Sequence, residues 1–364
     1  MDVKARKFLF LYTRFPDYFY SCVKYLLSTC APGSEAYIVC YPQDHNAPYA
    51  FEGEPGNIKI INKAEINRMN IKGWKPDIIY MAGWGDAVYN SIAAAWIKKV
   101  PVIIGLDNPW EGSLRQRIMT VIAPFFFKNK ASHLWVAGKP QYEYARRLGF
   151  APDRIIHELY CADIAKFRRT EATFRKRIIY VGRMVAYKRP QWLAEAFWKL
   201  IQQHPELGDW RLVMIGNGPL KETIRSNYGH VKQIEITDFI QPAELTRYYH
   251  ESAIFCMPSH NEHWGVVVHE AAAAGLALLL SDTCGAASAF LINGYNGRVF
   301  SAMDKAGFEA ALYQLMKLPD YELQRMGERS ALLAGRITHE TWAANFCSVL
   351  NKQADGKKEN IGNG

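Results

Sequence analysis

Residues 257–275 read MPSHNEHWGVVVHEAAAAG. The stretch opens on a Pro-Ser turn, passes through a polar segment, and becomes an apolar, Ala-rich run. It stops at Gly275, where a helix C-terminus favours a residue tolerant of positive φ. The spacing predicts a helix from about Trp264 to Ala274, entered by a loop carrying Glu262 and followed by a buried strand from Leu276. Glu270 stands out, because a carboxylate among Val and Ala is costly to bury without a partner. At ~1.5 Å per residue, the step from Glu262 to Glu270 covers about 12 Å of helix axis. The backbone N–H groups of Gly265, Val266 and Val267 fall between the two acids, at the helix N-terminus. An anion-binding end thus lies between two acceptors suited to hydroxyls, the order of groups found in a nucleotide-sugar. Read alone, the pattern also fits a solvated loop acid and a structurally paired Glu.

Upstream, the same half of the chain alternates short apolar strands with helices. Strands are expected at Arg177–Val181, Trp210–Ile215, Gln233–Thr237 and Ala253–Met257, with helices at 190–204, 220–228 and 242–250. Gly182-Arg183 closes the first of these strands, and Lys188 follows five residues on. Ligands in open α/β sheets collect outside the carboxyl ends of strands, so Arg183 and Lys188 offer phosphate a fork and a point charge there. By itself this reads equally as a solvated basic loop. Gly216-Asn217-Gly218-Pro219 marks a tight turn one unit later, structural or nucleotide-facing. Beyond Ser281 a short strand near 293–300 and three helices, 305–316, 321–335 and 339–350, finish the fold, with a polar, frayed tail from Lys352.

The first half shows the same alternation. Strands are expected at 7–13, 36–41, 58–61, 77–82, 101–106 and 133–137, with helices at 17–29, 87–99 and 138–148, and a surface loop over 42–56. The run at Lys7 is too short for a signal peptide and reads as a strand. Candidate acceptor-side residues sit in loops after these strands: Arg14, Trp84 with Asp86, Asp107 and Trp110. Trp84 suits sugar stacking, while Asp86 serves equally well as a helix N-cap. Arg115–Lys130, RQRIMTVIAPFFFKNK, reads either as a segment lying on a membrane surface or as a core helix interrupted at Pro124, with basic ends in water.

At 364 residues the chain exceeds one comfortable core. A formal charge of +9 favours a phosphorylated or anionic partner, and no nucleic-acid-binding motif is present. The seven cysteines are odd in number and lack a C-x-x-C, which points to reduced, buried thiols in a cytosol. No D-x-D pair, H-E-x-x-H or paired cysteine ligands appear, so no metal is implied. The segment after the first strand, Thr13-Arg14-Phe15-Pro16, has no glycine, which argues against a dinucleotide-dependent oxidoreductase.

In order and spacing, G-R-x4-K at 182–188, G-N-G-P at 216–219 and E-x7-E at 262–270 resemble the signature of the family-4 retaining glycosyltransferases. Ala162-Asp163 with Phe167 resembles that family's interdomain segment, with Cys161 in place of its glycine. The resemblance implies a GT-B fold, two Rossmann-like doubly wound α/β domains facing across a cleft. The division expected is 1–167 for acceptor, 168–350 for nucleotide-sugar and 351–364 as tail, with the last helix able to cross back to the first domain. It further implies that Arg183 and Lys188 neutralise the leaving diphosphate, that Glu262 meets the transferred sugar and Glu270 the ribose, and that Phe239 lies near the base. Many relatives carry a His near Asp107, which marks this acid as an acceptor-orienting or sugar-contacting residue. The implied partners are a nucleotide-diphosphate-sugar and a saccharide or lipid-linked acceptor, in cell-surface polysaccharide or glycolipid assembly. The implied location is the cytoplasm, in possible contact with the inner face of an anionic membrane. A sugar-nucleotide epimerase of the same fold and a non-catalytic carbohydrate-binding protein are the alternatives.

Overall fold

The computed structural model describes residues 5–42, 48–49, 51, 56–68, 71–169 and 175–359. These form two compact units. The first comprises residues 1–43, 50–161 and 339–364, and the second residues 44–49 and 162–338. The division thus falls at Cys161, ahead of the expected 167.

In the first unit the described strands are β1 (Lys7–Leu11), β2 (Glu35–Cys40), β3 (Ile58–Asn62), β4 (Ile78–Met81), β5 (Val102–Leu106), β6 (His133–Val136) and β7 (Ile155–Ile156). They lie in the order β3-β2-β1-β4-β5-β6-β7, with every neighbouring pair parallel. Helices cover both faces, which is why β1, β4 and β5 read as unbroken apolar runs. β7 has only two residues, too few to show a period, and was not expected from the sequence.

The last helix, His339–Glu359, lies with this first unit. It runs past Lys352, where a frayed tail was expected. Its Phe346 stacks on Phe10 at 5.4 Å, Trp342 meets Trp135 at 4.8 Å, and the Trp342 indole N–H donates to the Leu159 carbonyl at 3.0 Å. Most of the Arg115–Lys130 segment lies in one helix, Leu114–Phe127, that runs through Pro124. None of the described helices is long and apolar enough to cross a membrane.

In the second unit the described strands are β8 (Arg177–Val181), β9 (Arg211–Ile215), β10 (Ile234–Thr237), β11 (Ile254–Met257), β12 (Ala277–Ser281) and β13 (Gly297–Phe300). Their order is β10-β9-β8-β11-β12-β13, again all parallel. The helix Pro190–Gln203 buries Leu193, Ala194, Phe197, Leu200 and Ile201, the stripe a 3.6-residue period produces. The strand order reverses between β8 and β11, so the loops leaving them diverge and leave a crevice at their carboxyl ends. Both singled-out loops, with Lys188 after β8 and Glu262 after β11, open there.

The helix after β11 starts at Val266, two residues later than the sequence suggests. On it, His269 is fully buried. One ring nitrogen accepts from the Ala162 N–H at 3.1 Å and the other donates to the Ala334 carbonyl at 3.0 Å.

Candidate functional site

β8 hands over to a loop whose form rests on backbone packing. Gly182 N–H donates to the Ile215 carbonyl at 3.0 Å, tying the β8 exit to β9. Gly216 has φ +139°, and a Cβ there would stand 2.2 Å from the Gly182 carbonyl oxygen. At Gly218 a Cβ would come within 2.5 Å of the Met184 carbonyl oxygen. Both glycines therefore let the β9 loop lie flush on the β8 loop, the structural one of this turn's two readings. Next, Arg189 takes a left-handed conformation (φ +49°), unusual for a residue with a side chain, and swings the chain from a 3-10 turn over Ala186–Lys188 into the Pro190 helix. Its guanidinium lies 4.1 Å over Trp192 and donates to the Ala302 carbonyl.

That turn points Lys188 across the crevice. Its Nζ lies 2.7 Å from Glu262 Oε2, with 12% and 14% of the two side chains exposed. The distance is that of an ion pair, but the angles at Glu262 Oε2 fall outside hydrogen-bond geometry. The Glu262 loop is held at several points. The His260 N–H donates to the Tyr187 carbonyl at 2.9 Å, the Gly285 N–H to the Glu262 carbonyl at 2.9 Å, and the Ala286 N–H to the Trp264 carbonyl at 3.0 Å. Gly285 is close-packed here, since a Cβ on it would fall 2.0 Å from the His263 carbonyl oxygen. Gly265 (φ +92°) opens the helix Val266–Ala273, and a Cβ on it would sit 3.3 Å from Glu262 Cγ. Val266 and Val267 are half-buried at that N-terminus.

Glu270, only 9% exposed, accepts from the Tyr249 hydroxyl at 3.0 Å. Tyr249 comes from the helix Pro242–His250 and is the partner its apolar surroundings demanded. Burial, and then the nearby Glu270 carboxylate, push the Tyr249 hydroxyl well above its ordinary pKa, so it stays a donor. Tyr180 behaves alike: burial and then Glu262 raise it, and its hydroxyl donates to the Arg183 carbonyl at 2.9 Å. The Arg183 side chain is exposed and donates to the Tyr187 hydroxyl at 2.6 Å. Phe239 meets Tyr49 edge-on at 5.4 Å. The structure thus joins Lys188 to Glu262 directly, sets Gly265 beside them, and places Glu270 on the same short helix.

In the first unit, Asp107 follows β5. Its carboxylate accepts from the Tyr160 hydroxyl at 3.1 Å, and its carbonyl accepts from the Gln141 side chain at 2.8 Å. Tyr160 packs edge-on against Tyr18 at 5.7 Å, and the Tyr12 and Tyr80 rings lie 5.9 Å apart. Burial first, and Asp107 among the neighbouring groups, push Tyr12, Tyr80 and Tyr160 well above the usual tyrosine range. These tyrosines were missed in the sequence, where aromatic residues near strand ends look like ordinary core.

The other acceptor-side candidates also lie in the first unit. Asp86 caps the helix Ala87–Trp96, accepting from the N–H groups of Val88 and Tyr89 at 2.8 and 3.0 Å, and also binds Lys63 and Tyr41. Trp84 packs edge-on against Phe127 at 5.3 Å. Trp110 meets Tyr144 at 5.6 Å and lies 4.7 Å under the Arg147 guanidinium. Arg14 is exposed in the loop after β1. Among the described residues, ligand atoms of Cys22, Cys161 and His339 lie within 4.8 Å of one another, the one such group able to hold a metal ion.

Residues 175–317 match the family model described as "Glycosyl transferases group 1", a span that includes Lys188, Glu262 and Glu270. A glycogen synthase of Mycobacterium tuberculosis is 24% identical over 301 residues, 79% of this chain and 72% of that protein. Sucrose-phosphate synthase from Thermosynechococcus elongatus superposes with a TM-score of 0.73 at 16% identity, covering 97% of this chain and all of that one. HepE of Anabaena, solved in complex with UDP-glucose, superposes at 0.70 with 13% identity, covering 95% of this chain and 100% of that one. The match to the glycosyl transferases group 1 model thus falls within the second unit, and the two parallel-sheet α/β units share the GT-B fold of these solved structures.

Proposed function

We propose that this protein is a retaining glycosyltransferase that moves a sugar from a nucleotide-diphosphate-sugar to a hydroxyl of a saccharide or lipid-linked acceptor, in the assembly of a cell-surface polysaccharide or glycolipid. The observation that carries this reading is the Lys188–Glu262 pair at the β8/β11 switch point, beside the N-terminus of the helix bearing Glu270. In this reading the diphosphate lies against the N–H groups of Gly265, Val266 and Val267, with Lys188 and Arg183 supplying positive charge. Glu262 meets the transferred sugar, and Glu270, steadied by Tyr249, takes the ribose diol. Phe239 lies near the base.

The reaction then breaks the bond between the sugar's anomeric carbon and the diphosphate oxygen, whose electron pair stays on the departing phosphate. The acceptor oxygen bonds to the same face of the sugar, and its proton passes to the leaving phosphate. Fixed cations and helix N–H groups stabilise the charge developing on that phosphate, an effect worth several kcal/mol in preorganised sites, on the order of 3–4 per donor. With those cations supplied by the chain, the reading is metal-independent. Asp107, held by Tyr160, orients the acceptor.

A thermal-shift panel of nucleoside diphosphates and their sugars, with and without EDTA, tests this. One sugar nucleotide at ~100 times its dissociation constant should stabilise the protein by about 2.7 kcal/mol, insensitively to EDTA. The shift should vanish in Glu270→Ala. No shift with any nucleotide would overturn the donor site, and a shift abolished by EDTA would overturn metal independence.

A further inference from the structure

Among the described residues, eleven large hydrophobic side chains are exposed, and five of them lie on one helix, Leu114–Phe127 of the first unit. Leu114 is 75% exposed, Ile118 53%, Val121 74%, Ile122 44% and Phe125 83%. At the α-helical turn of about 100° per residue these five fall within an arc of roughly 100°. The helix has a second apolar face, on which Ala123 and Phe127 are buried in the core of the first unit. The exposed stripe is therefore additional to what the fold needs, and it lies opposite the packed face.

The stripe has a charged border. Arg115 and Arg117 project on either side of it, both exposed, and Lys128 follows the last turn. The Arg117 guanidinium donates to the Gly112 carbonyl at 2.9 Å, and Lys130 lies 3.3 Å over the Phe126 ring. The helix itself contains no acidic residue; Glu111 stands ahead of it. At ~1.5 Å per residue a helix of this length is about 21 Å long, too short to span a hydrocarbon core of about 30 Å but long enough to lie along its surface. An apolar stripe with an arginine on either flank and a lysine just past its end is the arrangement of a helix seated in the headgroup layer of an anionic bilayer.

We infer that the outward face of the Leu114–Phe127 helix docks the protein on an anionic membrane surface, with the five apolar side chains among the acyl chains and Arg115, Arg117 and Lys128 at the headgroup phosphates. The inference goes beyond the proposed transfer and does not depend on the donor site.

Vesicle sedimentation of the full chain tests it, with phosphatidylcholine vesicles compared with vesicles that also contain phosphatidylglycerol. Partitioning should favour the anionic vesicles and weaken with added salt. Arg115→Gln with Arg117→Gln should lower it by about fivefold per charge at low salt. Val121→Ser with Phe125→Ser should lower it at least tenfold while leaving the nucleotide thermal shift unchanged, because both side chains already stand in solvent. Equal binding to both vesicle types, or serine variants that bind as the parent does, would overturn the inference. So would a parent protein that ignores vesicles but self-associates in sedimentation velocity and loses that association in the serine variants, since the face would then join copies of the chain. A nucleotide shift lost from the parent would count against the donor site and leave the vesicle result standing.

Discussion

Lys188 and Glu262 allow a quantitative test of the geometry at the β8/β11 crevice. Their charged atoms stand 2.7 Å apart with little solvent contact, so screening is weak. At an effective dielectric near 20 the gross attraction is about 6 kcal/mol. Withdrawing two charges from water costs several kcal/mol per ion, so the net value of the pair is far smaller. Removing one partner alone is different, because it strands the other charge. That costs about 3–5 kcal/mol at full burial, and the residual exposure here points to the lower end, about 3. Lys188→Met and Glu262→Gln should each destabilise by about this much, while the double variant should lose much less than the sum. The expected coupling is on the order of 1–3 kcal/mol. The assay is urea denaturation of the four proteins, followed by tryptophan fluorescence with a common slope. Costs that add within ~0.5 kcal/mol would refute the pairing. On the proposed reading, freeing Lys188 should also tighten binding of a nucleoside diphosphate to Glu262→Gln, because the lysine would then face phosphate alone.

Two further outcomes follow from the geometry. Burial alone would raise the Asp86 carboxyl, but hydrogen bonds from Lys63, Tyr41 and the Tyr89 N–H outweigh it and hold its pKa at about 2, against an ordinary 3.8. Because the folded value is the lower one, this stabilisation is full above about pH 4 and is lost as pH falls through about 2. The stability gap between the parent and Asp86→Asn should therefore be constant from neutral pH to about 4 and close below it. Urea midpoints measured across pH check this, and a gap that ignores pH would refute it. At Gly285, alanine would drive a methyl group into the His263 carbonyl and strain the Gly285 N–H bond to Glu262. Gly285→Ala should cost about 1–3 kcal/mol, with about 1 more for the weakened hydrogen bond. An unchanged melting temperature would show that the loop yields without cost.

Much of this was readable from the chain. Parallel strands buried on both faces are continuous apolar runs, so β1, β4, β5, β8, β11 and β12 announce themselves. E-x7-E and G-R-x4-K mark the loops that flank the β8/β11 switch point. What was not readable is what depends on distant partners. Lys188 and Glu262 were each singled out, but nothing in their spacing says that they meet. Tyr249 sits in an unremarkable helix until Glu270 needs a donor. Asp86 looked equally like a sugar contact and a cap because Lys63 and Tyr41 come from other elements. The Leu114–Phe127 helix is apolar on two faces, and pattern alone cannot say which one the core takes. The last helix outruns its apolar pattern, since polar residues continue a helix as readily as they end one.

The buried ring of His269 touches both ends of the second unit's main segment, near its entry at Ala162 and its exit past Ala334. In topology that segment is a long insert within the first unit, whose chain leaves at Cys161 and resumes at His339. An insert whose ends gather at one side chain can be exchanged by a double crossover without stretching either link. The clasp thus makes this segment a cassette that can be exchanged as one piece, with the imidazole keeping its two splice points in place.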